Sequence, residues 1–514
     1  MYVLQSVRYL LREEKDSCVT FLELIAFDSS GRKTLAAQTG DFCMEHNMVS
    51  QASENDKLPE RESEEKIWPQ ILTILIGCLA NLTCGTLLSW TSPFIVKLTT
   101  DKVYYDISED EASYFTLIPP IAMIISSFIF SRLNDVLGRK PVLIFVAFPY
   151  IIAWILAAVA KDVWVFYVSR FFAGISDGCL YSSLPMYIGE ISTPKVRGTW
   201  GNSMTFFLYL GQFIISVVGS YFNVQQTSYI CICIPIVYLV LFSFVRESPY
   251  FYIIKGKYEE AKESVRYFRR KQDVEEEFLI LKKDVERQMS ESGTWKDLFV
   301  IVSNRRALYA GIFLRASQQL GGITAFMLYT QYMFEKSGGN LSSEVSSMIF
   351  FAAIVVLNVV GGSVLEKLGR RKSYFISTLF CGIFTLIEAI YFYIDTFQTQ
   401  INIQFLNWIP ITAVLLYVVF YSIGLGLIPT LMLGELFSAS IKVKGLCVLN
   451  MFFGLMIIIV TRIFYLLTTY VGLYAPFLFF TCTCFLSSIL SLFLVPETSG
   501  KSLEAIQQSL KGNK

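Results

Sequence analysis

Apolar runs of roughly 20 residues, each long enough to cross a bilayer as a helix, recur near 69–97, 113–131, 141–160, 163–186, 199–222, 228–245, 307–334, 345–365, 373–394, 407–434, 445–470 and 473–495. Six precede a central polar stretch and six follow it. The pattern therefore predicts an all-α membrane protein with twelve transmembrane helices in two six-helix bundles. Residues 1–66 are polar, of mixed charge, and rich in Glu and Ser near 53–65, the composition of a largely disordered tail. Met1-Tyr2-Val3-Leu4 begins neither a long apolar core nor a small-residue cleavage site, so no secretory signal is expected there. In 250–305 the pattern changes to dense charge at helical spacing. Tyr258, Ala261, Val265 and Phe268 share one face, while Glu259, Glu260, Lys262, Glu263, Arg269 and Arg270 occupy the rest. This predicts short amphipathic helices, either a solvated linker or a latch under both bundles. The expected organisation is a tail at 1–66, a bundle at 67–249, linking helices at 250–305, a second bundle at 306–497 and a tail at 498–514.

The two sets of runs are copies. Ser131-Arg132-Leu133-Asn134-Asp135-Val136-Leu137-Gly138-Arg139-Lys140 returns as Gly362-Ser363-Val364-Leu365-Glu366-Lys367-Leu368-Gly369-Arg370-Arg371. Glu190 precedes Arg197 by seven residues, as Glu435 precedes Lys442, and Glu247-Ser248-Pro249 echoes Pro496-Glu497-Thr498. Parallel repeats of one membrane unit are a mark of transporters. Gly138 and Gly369 permit the tight reversals. Each loop sets a carboxylate and several cations at the end of a helix pair, where they either bond across to a neighbouring helix in one conformational state only or serve simply as topogenic charge.

Composition agrees: 54% hydrophobic, 17% charged, mean hydropathy +0.51. The loops 131–141, 187–198, 366–373 and 435–445 are rich in Lys and Arg and the opposite loops are poor in them, so both termini are expected in the cytoplasm and the acidic loop 98–112 outside. The plasma membrane is the default location. A net charge of +1 without a basic, aromatic-interleaved stripe gives no nucleic-acid partner. The only histidine, His46, lies in the tail, so no catalytic residues, metal site or cofactor are expected. Most cysteines sit in apolar runs as small hydrophobes. Asn340-Leu341-Ser342 is a glycosylation sequon in an outside loop. Asp177, Arg315, Glu388 and Arg462 fall inside apolar runs, where a charge costs about 2.5–3.5 kcal/mol on insertion scales. Each is a functional candidate, or else a charge that pairs or snorkels.

Motif by motif, the chain resembles the sugar porters of the major facilitator superfamily. Pro185-Met186-Tyr187-Ile188-Gly189-Glu190-Ile191 with Arg197-Gly198 resembles the signature after their fourth helix, and the duplicated loops resemble their loop motif. Gln318-Gln319-Leu320-Gly321-Gly322-Ile323-Thr324-Ala325 is similar to their seventh-helix QQxSGxNA, and Val495-Pro496-Glu497-Thr498 through Leu503-Glu504 to their carboxy-terminal PETKGKTLE. Tyr187-Ile188-Gly189-Glu190-Ile191 and Trp90-Thr91-Ser92-Pro93 look most like the insect facilitated trehalose transporters. The resemblance implies a sugar site between two bundles, alternating access, and a cytoplasmic charge network of Asp135, Arg139, Glu190, Arg197, Glu366, Arg370, Glu435 and Lys442. It places Gln318, Gln319, Thr324, Thr205 and Thr430 at the substrate.

Thr324 stands where the family has Asn, Thr205 where glucose carriers have Gln, and Thr430 and Gly454 where it has Trp. Proton-coupled porters carry an acid where this chain has Thr91, and 69–97 contains none. The expected function is facilitated diffusion of trehalose or a related saccharide or hexose, with only a small sugar and the lipid bilayer as partners. A non-transporting sugar sensor and a carrier of another small polar solute, an anion if Arg315 faces the cavity, are the alternatives. Oligomeric state is not fixed by the sequence.

Overall fold

The computed structural model describes residues 67–290, 293–338, 341–397, 406–437 and 441–498, without the side chains of 363, 364, 366, 367, 433–435, 442 and 443. Among these every regular element is helical. The first half crosses at Trp68–Leu88 continued by Thr91–Thr100, then Ile118–Leu137, Arg139–Val159, Val163–Ile191, Ser203–Tyr221, and Val224–Cys231 continued by Cys233–Ser243. The second crosses at Val302–Leu320 continued by Ile323–Ser337, then Ser343–Leu368, Arg370–Phe397, Ile409–Ile423 continued by Ile428–Leu436, Lys442–Tyr470 and Tyr474–Leu494. We number these the first to twelfth spans. Ten are long and apolar enough to cross a membrane by length and composition. The other two are the fourth, which carries Arg170, Asp177 and Glu190, and the seventh, which carries Arg305, Arg306 and Arg315 and is broken in the middle.

Packing repeats as the sequence does. The first span lies on the fifth as the seventh lies on the eleventh, the second on the fourth as the eighth on the tenth, and the third on the sixth as the ninth on the twelfth. The halves meet where the second span touches the eleventh, the fifth touches the eighth, and the outer piece of the first touches that of the seventh. Exchanging the halves maps these contacts onto themselves, so a pseudo-two-fold axis runs through the interface.

Three spans are interrupted there, the first at Ser89-Trp90, the seventh at Gly321-Gly322 and the tenth at 424–427. A break frees backbone groups that lipid cannot satisfy, and side chains take them up. Arg170 Nη1 donates to Leu87 O at 2.7 Å, Tyr417 Oη to Gly321 O at 2.9 Å, Thr483 Oγ1 to Leu320 O at 2.6 Å, and Gln318 Nε2 to Gly426 O at 3.2 Å.

Helices Pro249–Ile254, Tyr258–Arg269, Glu275–Ser290 and Trp295–Val300 gather at one end of the bundle. Ala261, Val265 and Phe268 are buried, whereas Tyr258 is 40% exposed, because it stands at the N-terminus of its helix. Arg269 Nη1 donates to Ile191 O at 2.8 Å and Gln70 Nε2 to Phe268 O at 3.2 Å, which fix this group beneath the first half. Trp295–Val300 packs instead beneath the second half through Leu298, and Lys444 Nζ reaches Gly293 O at 2.6 Å. The sequon Asn340 and residues 1–66 lie outside the described residues.

Candidate functional site

At the middle of the interface the seventh span changes direction. Gly322 has φ +92°, a left-handed conformation open to glycine, and a Cβ there would come within 2.6 Å of the Phe480 ring. This turn presents Gln318, Gln319 and Thr324 together, each less than a tenth exposed. Thr324 Oγ1 donates to Gln319 Oε1, and Gln318 Oε1 accepts from Arg315 Nη1 at 3.0 Å. The Tyr421 phenol of the tenth span interacts with Gln318 and with Tyr209 of the fifth span, on the opposite half. The result is a polar cluster of amides, hydroxyls and one guanidinium, capable of donating and accepting hydrogen bonds in turn around a hydroxyl-rich solute.

The other expected contacts are looser. Thr205 is half-buried and Thr430 exposed, and neither side chain is hydrogen-bonded among the described residues. Gly454, in the place of a family Trp, has a physical reason: a Cβ there would lie 2.7 Å from Ile124 and 2.9 Å from the Met123 methyl of the second span. A larger residue would force the halves apart.

Of the intramembrane charges, Asp177 accepts from Tyr150 Oη at 2.7 Å, with Arg170 acting on it electrostatically. Arg170 itself stacks 4.5 Å over Trp90. Arg462 donates to Ser113 Oγ at 3.3 Å, lies 4.0 Å from Asp110, and sits near the Tyr114 and Tyr465 rings. Glu388 is buried on the ninth span near Val414, with neither oxygen hydrogen-bonded among the described residues.

At the linker-helix end, Arg139 is 3% exposed and holds Glu190 through Nε and Nη2 at 2.9–3.1 Å, with Asp135 at 3.8 Å. Arg197 donates to the Gly189 and Ser192 carbonyls. The side chains of Glu366, Glu435 and Lys442 lie outside the described residues. Two further members belong here, signalled by the Glu247 and Glu497 echo. Glu247 accepts the Lys140 N–H at 3.0 Å, and Glu497 accepts the N–H groups of Arg370 and Arg371 at 3.0 and 3.1 Å. Each carboxylate thus caps the helix that follows a loop glycine, Gly138 at φ +106° or Gly369 at φ +80°. Burial pushes the Glu247 carboxyl above its ordinary range, against the pull of the Ser248 and Lys140 N–H groups and Arg139.

At the opposite end the halves are stitched together. Thr91 Oγ1 donates to Leu328 O at 3.1 Å, Gln331 N to Ser92 Oγ at 3.3 Å, and Thr116 shares a 3.2 Å hydrogen bond with Tyr329 Oη. Deeper, Gln212 Nε2 reaches Met327 Sδ at 3.6 Å. At the linker end the direct link among the described side chains is Asn202 Nδ2 to Asn358 Oδ1 at 3.3 Å.

Residues 51–510 match the family described as "Sugar (and other) transporter". The chain belongs to this family. It is 30% identical over 460 residues to the facilitated trehalose transporter Tret1 of Polypedilum vanderplanki, covering 87% of this chain and 89% of that one. It is 29% identical over 451 residues to trehalose transporter 1 of Drosophila melanogaster. The chain spans about half, 52%, of the length of that relative and of others like it. Among solved structures, the proton:xylose symporter XylE bound to 6-bromo-6-deoxy-D-glucose superposes with TM-score 0.70 at 19% identity, over 86% of this chain and 99% of that one. Inward-open XylE from E. coli gives 0.69 at 20% identity, over 85% and 98%. The fold is that of the major facilitator superfamily.

Proposed function

We propose that this chain is a facilitative uniporter that carries trehalose or a related saccharide by alternating access. The observation that carries the reading is the amide pair Gln318 and Gln319, held dry at a glycine break on the axis relating two repeated bundles, with Thr324 and the Tyr209 and Tyr421 phenols around it. Chemistry of this kind reads hydroxyl groups. Passive rather than proton-coupled transport is favoured because Thr91 occupies the place of the acid, and its hydroxyl is spent on closing the interface at Leu328.

In this reading the linker-helix end is cytoplasmic, the acidic loop 98–112 is outside, Asn340 is a glycan acceptor, and the plasma membrane houses the protein. The charges on the duplicated loops, Asp135, Arg139, Glu190, Arg197, Glu366, Arg370, Glu435 and Lys442, regulate closure at the cytoplasmic end. The helices within 250–305 act as a latch, since one group docks on the first half and Trp295–Val300 on the second.

Uptake of labelled trehalose and glucose into oocytes expressing the chain tests this, with a Gln318→Ala/Gln319→Ala double variant at matched surface level. Saturable uptake lost in the variant is expected. Sugar binding without flux by surface-exposed protein would instead identify a sensor.

A further inference from the structure

Arg315 is the member of the central cluster that a neutral sugar does not require. It lies one turn before Gln319, 8% exposed, with Nη1 on Gln318 Oε1, its guanidinium 4.5 Å over the Phe453 ring, and Nε without a hydrogen-bond partner among the described residues. No described carboxylate lies within 4.0 Å of it, and the titratable groups that act on it are the phenols of Tyr181 and Tyr421. The other buried cations differ. Arg139 has Glu190, and Arg170 has the Leu87 carbonyl, the Trp90 face and Asp177. The carbonyls freed nearby at Gly321 and Gly426 are already taken by Tyr417 and Gln318. A buried guanidinium left with one amide and one ring has a planar fork suited to a carboxylate, in a dry site where such a bond is strengthened.

We propose that Arg315 receives a carboxylate of the substrate, so that the preferred cargo is a monoanionic acidic saccharide of the uronic-acid class. The proposal rests on the sugar-transport reading above. Its hydroxyls are read by Gln318, Gln319 and Thr324, and its charge by Arg315. A single cation balances a single negative charge, which favours a carboxylate over a phosphate dianion. Because the carrier adds no compensating acid on the first span, each cycle moves one negative charge.

The test compares labelled glucuronate and glucose in oocytes expressing the full chain at measured surface density, with current recorded under voltage clamp. Saturable glucuronate uptake, an accompanying current, and a glucuronate-to-glucose uptake ratio that falls roughly tenfold or more in Arg315→Gln, with partial recovery in Arg315→Lys, are expected for a lost charge-assisted bond. Carriage of glucose or trehalose with glucuronate neither carried nor competing would overturn the proposal and leave sugar transport standing. An unchanged ratio in Arg315→Gln would also overturn it, assigning Arg315 to packing. If no saccharide moves, a glucuronate-induced rise in the melting temperature of the purified chain that Arg315→Gln abolishes supports the binding site while removing the transport reading. Absence of that rise refutes both.

Discussion

At the scale of single residues, the candidate site is made of polar side chains that lipid would otherwise expel. Gln318 accepts from Arg315 and donates to the Gly426 carbonyl, so Gln318→Ala removes two hydrogen bonds near the axis, each worth about 0.5–1.5 kcal/mol net. The expected result is a rise of about tenfold in the KM for sugar uptake with a modest fall in melting temperature; an unchanged KM would place the sugar elsewhere. Gln318, Gln319 and Arg315 were legible in the sequence because amides and a guanidinium stand out in an apolar run. Tyr181, Tyr209 and Tyr421 were not, because a phenol in a membrane helix looks the same whether its hydroxyl faces a cavity or its ring fills a core. Gly454 was legible only as a missing Trp. Its meaning, contact with Met123 and Ile124, comes from a helix in the other half. Gly454→Trp is accordingly expected to abolish surface expression or trap one conformation, which protease protection of the loops at the linker-helix end would reveal.

The elements are set by breaks and caps rather than by propensity. The seventh span turns because Gly322 adopts φ +92° beside Phe480. Gly322→Ala adds a left-handed alanine, about 1–2 kcal/mol, and a ring clash, so loss of well-folded protein on size-exclusion chromatography is expected. The duplicated loops are held alike, with Glu247 and Glu497 each accepting the first N–H groups of the following helix. Removing either acceptor, as in Glu497→Ala, costs about 0.5–2 kcal/mol by analogy with helix caps, read as a lowered melting temperature. The loops were visible in the sequence as a repeat. Their caps were visible only as an echo more than one helix pair away, and spacing gave no partner for them. The fourth and seventh spans are visible as apolar runs although their polar content lowers their hydropathy; Arg170, Asp177 and Arg315 are buried against protein, whereas Arg305 and Arg306 are exposed at the start of the seventh span, beside the linker helices.

For the whole molecule, the repeat in the sequence becomes a two-fold exchange of contacts, and that symmetry permits two bundles to rock about a fixed site. The end away from the linker helices is closed by Thr91, Ser92, Thr116 and Arg462 reaching across the interface. Arg462 is about a third exposed, so its pairing with Asp110 contributes about 0–1 kcal/mol. Arg462→Gln should shift the balance between states by no more than about fivefold, seen as faster modification of a cysteine placed at Thr91 by an external thiol reagent. An all-α fold of repeated membrane-spanning helices is readable from the sequence. Which end is shut is not, because the closing contacts join residues from different halves and depend on neutral hydroxyls.

The central claim is passive carriage by alternating access, and counterflow in proteoliposomes tests it most directly. Vesicles loaded with unlabelled trehalose should accumulate external labelled trehalose transiently, at a rate unaffected by an imposed pH gradient. Absence of counterflow from correctly inserted protein, or accumulation driven by the pH gradient, would contradict the account.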